Sequence, residues 1–387
     1  VLATRVQMTE MPQLVAVFNG VGGLASVLVA AASLMATKDS SIPVEVVVAG
    51  GVSGLIGAVT FVGSGVAAGK LQELNFFKKQ LPIPTLIRHV LNLAMLIGCG
   101  WCVFEMIDTG NVLLYLVICV LGCALGYTLT TPIGGADMPV VIALLNSYSG
   151  LAAAATGFVV DQPVLIISGS LVGASGIILT SLMFKAMNRS LLSVLFGGGM
   201  TSSYEQDEGI YATVKRTTAE DVAMMVDFAE RVVFVPGYGM AVAQAQNAVS
   251  DLAAMIEQRG ATVEYAIHPV AGRMPGHMNV LLAEADVSYE QLRTLEEINP
   301  DFDEVDIAIV LGANDVVNPE ARKEGTPVSG MPILNVDEAR QVVVIKRSLS
   351  PGYAKIANPL FAADNTSMLF GDGKAAIQDI SAALKEL

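Results

Sequence analysis

Six apolar stretches in the first half of the chain constrain its fold more than any other feature. They run over residues 14–35, 46–68, 90–107, 112–131, 140–160 and 164–184. Each is nearly free of charge and close to the ~20 residues that an α-helix needs to cross a bilayer. The whole chain is 53% hydrophobic with a mean hydropathy of +0.59, which is too apolar for a purely soluble protein. The sequence therefore predicts a multi-pass α-helical membrane bundle over residues 1–190.

Basic residues are distributed unevenly between the two ends of these stretches. Seven Lys and Arg lie before the first stretch, between the second and third, and after the sixth, whereas the opposite side carries only Lys38. Because cytoplasmic loops retain Lys and Arg, we expect the N-terminus and the part after the bundle to be cytoplasmic. The chain begins with Val1 and has no cleavable signal pattern, so we expect further helices upstream.

The second half of the chain differs in charge. Residues 201–387 carry 28 Asp and Glu against 14 Lys and Arg, which accounts for the whole net charge of −14. No basic cluster is present that could hold a nucleic acid. We predict an acidic cytoplasmic domain over 219–387, joined to the bundle by a hinge over 191–218 that contains three successive glycines, Gly197 to Gly199.

Small and polar residues interrupt the apolar stretches. The cysteines (Cys99, Cys102, Cys119 and Cys123) are expected to pack as small hydrophobic residues, without a metal site. Asn19, Asn92, Asp137 and Asn146 lie where polar groups are costly, so each either serves function or ties helices together, and both interpretations stay open. Asn146 lies about 13 Å beyond Asp137 in a helix. The two could mark a route from the cytoplasm to mid-membrane.

A strand, a tight turn and a helix are predicted within residues 231–246. A β-branched run there meets the pattern Gly-x-Gly-x-x-Val, formed by Gly237, Tyr238, Gly239, Met240, Ala241 and Val242. Glycines permit a sharp turn and close approach to a ligand, and a helix N-terminus suits a phosphate, so the turn indicates dinucleotide binding. Val242 stands where the third glycine usually lies.

Strands and helices alternate from this turn to the C-terminus. A helix is expected to begin with a capping box at Thr217 and Glu220. Strands are predicted at 231–235, 262–267, 306–311, 332–336, 341–346 and 367–370. Helices are predicted near 240–258, 276–285, 289–298, 337–340 and 374–387. This order predicts an α/β Rossmann-like domain with a doubly wound parallel sheet.

Charged residues at the expected carboxyl edge of the sheet indicate which nucleotide binds. The second strand runs into His268 instead of the acid that holds an NAD ribose. Lys346 and Arg347 follow a buried strand and could bind a 2′-phosphate, so NADP is favoured, although a solvated pair stays an alternative. The turn of Gly312, Ala313, Asn314 and Asp315 could contact the cofactor, and residues 348–354 have the composition of a covering loop. Hydride transfer needs only positioning by such a site.

Several long motifs together carry a family resemblance. They are Gly134 to Val141, Leu145 to Gly150, Pro236 to Gln246, His268 to Arg273, Pro275 to Glu284, Gly312 to Asp315 and Lys346 to Ser348. Over essentially its whole length the chain resembles the beta subunit of proton-translocating NAD(P) transhydrogenase. The resemblance implies hydride transfer from NADH to NADP⁺, driven by protons that enter the cytoplasm through the bundle. It also implies alpha subunits carrying NAD(H) and the remaining membrane helices, a homodimer of this heteromeric unit, and an inner-membrane location among lipids.

The resemblance assigns roles to individual residues. Residues 237–242 would bind the pyrophosphate. The 2′-phosphate would be bound by Lys346 and Arg347, which share a motif with Ser348. Arg273 and Asp315 would surround the cofactor, and Gly352, Tyr353 and Ala354 would belong to the covering loop. Asp137 and Asn146 match positions tied to proton coupling. Asn19 replaces a histidine found in some members, so the protonatable group could lie on a partner subunit.

Two other functions fit the composition. A channel or transporter could carry a Rossmann domain that only senses nucleotide, but it would need no 2′-phosphate pair. A membrane NADPH dehydrogenase could feed quinone or haem, but no haem-ligating histidine pair lies in the apolar stretches.

Overall fold

The structure is a computed structural model that describes residues 10–36, 42–72, 74, 77, 83–134, 137–187, 209–274, 276–352 and 354–387. The chain divides into two compact units. The first comprises residues 1–185 and 189–199, and the second residues 186–188 and 200–387. Residues 191–208 of the expected hinge lie outside the described residues, and 209–218 belong to the second unit.

Among the described residues of the first unit, six helices are long and apolar enough to span a membrane. They are α1 (Met11–Ala36), α2 (Val44–Leu71), α3 (Thr85–Thr109), α4 (Leu113–Thr130), α5 (Met138–Val159) and α6 (Pro163–Ala186). The helices α1, α4 and α5 all pack against α2. The predicted six-helix membrane part is confirmed.

Glycines bring the helix backbones of the bundle close together. A Cβ at Gly23 of α1 would lie 2.6 Å from the carbonyl oxygen of Gly57 of α2. A Cβ at Gly126 of α4 would lie 2.6 Å from Val59 O. Because membrane helices associate by close packing and hydrogen bonds, small residues at these crossings hold the bundle together.

Polar side chains also tie the helices together. Thr128 of α4 donates to Asn92 of α3 at 2.7 Å, and the hydroxyls of Ser53 and Thr156 meet at 2.7 Å. The fully buried Tyr115 donates to Val27 O at 2.8 Å. Of the two interpretations open for Asn92, the structure supports the tie between helices.

The second unit contains a sheet of seven parallel strands. They are β1 (Lys215–Arg216), β2 (Arg231–Pro236), β3 (Thr262–Ile267), β4 (Leu292–Thr294), β5 (Ile307–Leu311), β6 (Gln341–Lys346) and β7 (Thr366–Phe370). Their order is β1-β7-β6-β5-β2-β3-β4. Without the short edge strand β1, this is the strand order of a Rossmann fold, and the direction of winding reverses between β2 and β5. The predicted doubly wound sheet is confirmed.

The helices of the second unit cover this sheet. They are α7 (Ala219–Asp227), α8 (Tyr238–Ala243), α9 (Gln246–Gln258), α10 (His277–Glu284), α11 (Leu295–Ile298) and α12 (Gly373–Glu386). The central strands β2, β5 and β6 are buried along nearly their whole length, as expected when both faces of a parallel sheet are covered.

Some predicted elements of this unit are wrong in detail. The strand expected at 332–336 does not form, since Leu334 N–H donates to Val316 O and Asn335 N–H to the Asn299 side chain. Only a 3₁₀ turn, Val336–Glu338, follows where a helix was expected. The predicted helix 289–298 contains β4, because Leu292–Thr294 pair with β3 at the edge of the sheet.

Local backbone geometry explains the remaining differences. The helix expected over 240–258 is interrupted at Gln244, whose φ of 49° is left-handed and ends α8. The capping box lies one residue later than expected, at Thr218 and Asp221. The strand β1 was not predicted, since two charged residues give no β-pattern.

Candidate functional site

Two turns meet at the point where the sheet reverses its winding. Gly237 follows β2, and Gly312, with a φ of 67°, follows β5. A Cβ at Gly237 would lie 2.4 Å from Ala313 Cα, and one at Gly239 would lie 2.5 Å from Gly312 Cα. Such distances exclude a side chain, so these glycines are required for the two turns to touch.

The backbone donors of this turn are partly used inside the protein. Gly237 N–H donates to Leu311 O at 2.9 Å and Gly239 N–H to Gly312 O at 3.0 Å. The two N–H groups therefore tie the turns to each other, and the glycines permit the close approach of the two turns. Met240, Ala241 and Ala313 are buried and fix this arrangement.

A cavity of about 230 Å³ opens at the carboxyl edge of the sheet. It brings together residues that the sequence predicted from three separate segments, and it also includes residues that the sequence analysis missed. The lining residues are Gly239, Val242, Ala243, Leu311, Gly312, Ile345, Lys346, Arg347, Ser348, Ser350, Pro351, Gly371, Asp372 and Gly373. Ligands of open α/β sheets bind in this position.

Residues 371–373 are the lining segment that the sequence analysis missed. They follow β7 and lead into α12, where Asp372 Oδ1 accepts from Lys374 N–H at 3.1 Å and Ala375 N–H at 3.3 Å. The signal was present, since a strand followed by Gly-Asp-Gly and a helix repeats the pattern at Gly237. The cavity is thus bordered by Asp372, an acid that caps a helix, and by two cations at the end of β6, Lys346 and Arg347.

Lys346 is a half-buried cation at the end of β6. Its ammonium donates to Ser350 O and lies 4.9 Å from the centre of the Phe361 ring. Burial lowers the pKa of Lys346 to about 8, while the Asp315 carboxylate acts in the opposite direction. Arg347 beside it is exposed. The cavity is therefore lined by two cations: Lys346, whose lowered pKa makes its charge depend on pH, and Arg347, which is exposed to solvent.

The segment 350–354 is fastened to the turn after β5. With the amide oxygen of Asn314 facing the donors, this oxygen accepts from Gly352 N–H at 2.8 Å and from Lys346 Nζ at 2.9 Å. Asp315 Oδ2 accepts from Ala354 N–H at 3.0 Å. A Cβ at Gly352 would lie 2.5 Å from Asp315 Oδ1. Asn314 and Asp315 therefore hold the expected covering loop; Tyr353 lies outside the described residues.

Arg273 lies beside the first glycine turn and does not line the cavity. Its guanidinium carbon is 4.2 Å from the centre of the Tyr238 ring, a cation–π contact. The backbone N–H of Arg273 donates to His277 Nδ1 at 3.1 Å. The loop that presents Arg273 is therefore fastened to the start of α10.

His268 is a structural residue of the same loop. It is 1% exposed, and its Nε2 lies 2.7 Å from Pro332 O. Its Nδ1 accepts from Val270 N–H at 3.2 Å. Burial lowers the pKa of His268 to about 4, although the bond to Pro332 raises it. A neutral imidazole that uses both nitrogens within the protein supports the loop and is not placed to exchange protons.

In the bundle, the structure brings Asn19 to α5. Asn19 is buried, and its Nδ2 donates to Ile142 O at 3.3 Å. That carbonyl lies one turn before Asn146, which is half-buried. At 100° per residue, the nine steps from Asp137 to Asn146 make about two and a half turns, which puts these two positions on opposite faces of the helix. Asn19 therefore lies on the turn next to Asn146, whereas Asp137 lies at the opposite end of the expected route.

Asp137 is buried at the start of α5. It follows the segment between α4 and α5, and Lys70 forms hydrogen bonds to the first part of that segment. Lys70 of α2 donates to Thr131 O, to Ile133 O at 2.7 Å and to Thr130 O at 3.4 Å. The ammonium has three donors, so these carbonyls use all of them. Lys70 thereby holds the first half of the segment between α4 and Asp137 in place. No local sequence pattern indicates this role of Lys70.

Over the described ranges, no group of three or more His, Cys, Asp and Glu is placed to hold an ion. The cysteines Cys99 and Cys102 are buried in α3, and Cys119 and Cys123 are partly buried in α4. None of the four forms a disulfide.

Known proteins resemble the chain along its whole length. The family model described as NAD(P) transhydrogenase beta subunit matches residues 1–383. The chain is 46% identical over 399 residues to "NAD(P) transhydrogenase subunit beta" of Rhodospirillum rubrum, which covers 99% of this chain and 84% of the relative. A second sequence of that name, from a defined strain of the same organism, matches to the same extent.

Proposed function

The chain belongs to the NAD(P) transhydrogenase beta subunit family, and from this premise we propose that it couples hydride transfer from NADH to NADP⁺ with proton movement into the cytoplasm. Membership makes it a component of an oxidoreductase that uses nicotinamide nucleotides. The finer assignment places NADP(H) on the second unit of this chain. An alpha subunit would hold NAD(H), with the bundle in the inner membrane and the second unit in the cytoplasm.

The observation that carries the NADP(H) assignment is the pair Lys346 and Arg347, which line the cavity. The turn after the second Rossmann strand supplies His268, which is buried and bonded to the backbone, and no acid for a ribose 2′-hydroxyl. Cations bind a phosphate through charge-assisted hydrogen bonds. The residues present therefore fit a nucleotide that carries a 2′-phosphate better than one that lacks it.

The cavity residues would position the nucleotide, and the nucleotide itself would supply the hydride chemistry. Gly237, Gly239 and Gly312 leave room for the pyrophosphate at the reversal of the sheet. Asn314 and Asp315 hold the segment 350–354 against the cavity, which favours retention of the nucleotide during a transfer. Arg273 on Tyr238 would border the same nucleotide from the other turn.

The bundle would supply the proton step. Asp137 and Asn146 lie at the start and in the first half of α5, and Asn19 contacts the turn beside Asn146. We place proton coupling on these three residues, because polar groups within membrane-spanning segments are costly and commonly functional. Asn19 does not titrate, so the group that exchanges the proton near it would come from a partner subunit. A homodimer of the complete unit would bring two such sites together.

The test is hydride exchange between NADH and an NADP analogue in membranes that contain this chain and its alpha subunit. The expected result is direct transfer whose rate changes when an uncoupler removes the proton gradient. A hydride transfer rate that does not change when the gradient is removed would refute the proposed proton step. Nucleotide-dependent ion flux without any transfer would support a channel or transporter with a sensing domain, and NADPH-dependent quinone reduction would support a membrane dehydrogenase.

A further inference from the structure

A segment of the second unit that leads into the sheet contacts the residues that support the proposed cofactor site. We name residues 209–217 the entry strap. Thr213 Oγ1 donates to Ala362 O at 3.2 Å, and Lys215 Nζ donates to Asp364 O at 2.6 Å. The strap then joins the sheet as β1, beside β7. Residues expected to form part of a flexible hinge are therefore fastened over their described length.

Tyr211 is the strap residue that contacts Asn358 and Phe361. Its hydroxyl accepts from Asn358 N–H at 3.0 Å. Its ring stacks on Phe361, with 6.4 Å between ring centres and 18° between the planes. Asn358 and Phe361 are each 0% exposed. Because buried side chains move little without repacking their neighbours, both contacts transmit the position of Tyr211 inward.

Both neighbours of Tyr211 lead to the same cation. The Phe361 ring lies 4.9 Å from Lys346 Nζ. Asn358 Nδ2 donates to Asn314 O at 3.0 Å, and the Asn314 side chain accepts from Lys346 Nζ at 2.9 Å. Two chains of contact, one aromatic and one hydrogen-bonded, therefore connect Tyr211 with Lys346.

We propose that Tyr211 is a positioning residue for Lys346, through which the entry strap sets the affinity of the site for the 2′-phosphate of the nucleotide. This inference rests on the proposed NADP(H) site. It adds a residue outside the cavity, connected to Lys346 by one aromatic and one hydrogen-bonded series of contacts.

The test compares variants of the full chain by titration with NADPH and with NADH, which lacks the 2′-phosphate. Tyr211→Phe keeps the ring and removes one hydrogen bond, so NADPH affinity should fall roughly two- to tenfold. NADH affinity should stay within about twofold, because Lys346 has no 2′-phosphate to bind in that nucleotide. Thr213→Val is the matched control: it removes a strap hydrogen bond that leads to Ala362 and not to Lys346, and it should leave both affinities unchanged.

Three outcomes would overturn the inference: unchanged NADPH affinity in Tyr211→Phe, equal losses for both nucleotides, or equal losses in Thr213→Val. Tyr211→Leu, which also removes the stacked ring, should enlarge the NADPH-specific loss; retained NADH binding shows that it folds. A wild-type chain that binds no NADPH would instead refute the proposed function and so is distinguishable from failure of this inference.

Discussion

The low pKa of Lys346 makes the affinity for NADPH depend on pH in a range where an ordinary lysine does not titrate. Burial lowers this pKa from 10.5 to about 8. Only the protonated ammonium attracts the 2′-phosphate, and a bound phosphate raises the pKa of the lysine in the complex. Affinity is therefore complete below pH 8 and is lost as the pH rises towards the pKa of the complex.

The magnitude follows from the protonated fraction of the free protein. With a pKa of about 8, this fraction falls from roughly nine-tenths at pH 7 to one-tenth at pH 9, so NADPH affinity should fall roughly tenfold, or about 1.4 kcal/mol. A lysine with an unshifted pKa would lose only about 3% of its charge over the same interval. The assay is fluorescence titration of the full chain with NADPH at both pH values.

Two controls isolate Lys346. Lys346→Arg keeps its charge at pH 9, so the affinity of that variant should change little between the two pH values. NADH lacks the 2′-phosphate, so its affinity for the wild-type chain should also stay constant. An equal tenfold loss in Lys346→Arg, or no loss in the wild type, would refute the link between burial, the pKa of Lys346 and 2′-phosphate binding.

Three further predictions concern the glycine turn, the bundle and its orientation. Gly239→Ala places a Cβ 2.5 Å from Gly312 Cα and should destabilise the second unit by about 1–3 kcal/mol, lowering its Tm by roughly 2–10 °C; Gly371→Ala, whose Cβ would have its nearest neighbour at 4.0 Å, should leave Tm unchanged. Asp137→Asn and Asn146→Leu should depress proton uptake by vesicles that also contain the alpha subunit. The control Ser168→Ala, which removes an exposed hydroxyl bonded within α6, should not. Wild-type uptake in the first two variants would show that Asp137 and Asn146 serve only helix packing. Cysteines introduced at Lys38 and Lys78 should be labelled from opposite sides of the membrane, and labelling from one side would contradict the expected topology.

The sequence by itself determined the fold class and most of the cavity. Runs of about twenty apolar residues can satisfy their backbone in a bilayer only as helices, so the six spans were readable without a structure. A glycine pattern between a strand and a helix has few structural uses, which is why Gly239, Gly312 and Lys346 were predicted and lie together. Local patterns of this kind are set by near neighbours in the chain.

Tertiary structure decided the features that depend on contacts between distant residues. The apolar run at 332–336 could form a strand or an irregular connecting segment. Its hydrogen bonds to Val316 and Asn299 stabilise the connecting segment. The lowered pKa of Lys346 comes from burial among segments far apart in sequence. Lys70 and Tyr211 have no local motif, because their roles arise from carbonyls and rings some 60 and 150 positions away. Only the packing of the chain supplies those partners, so no reading of neighbouring residues could have identified them.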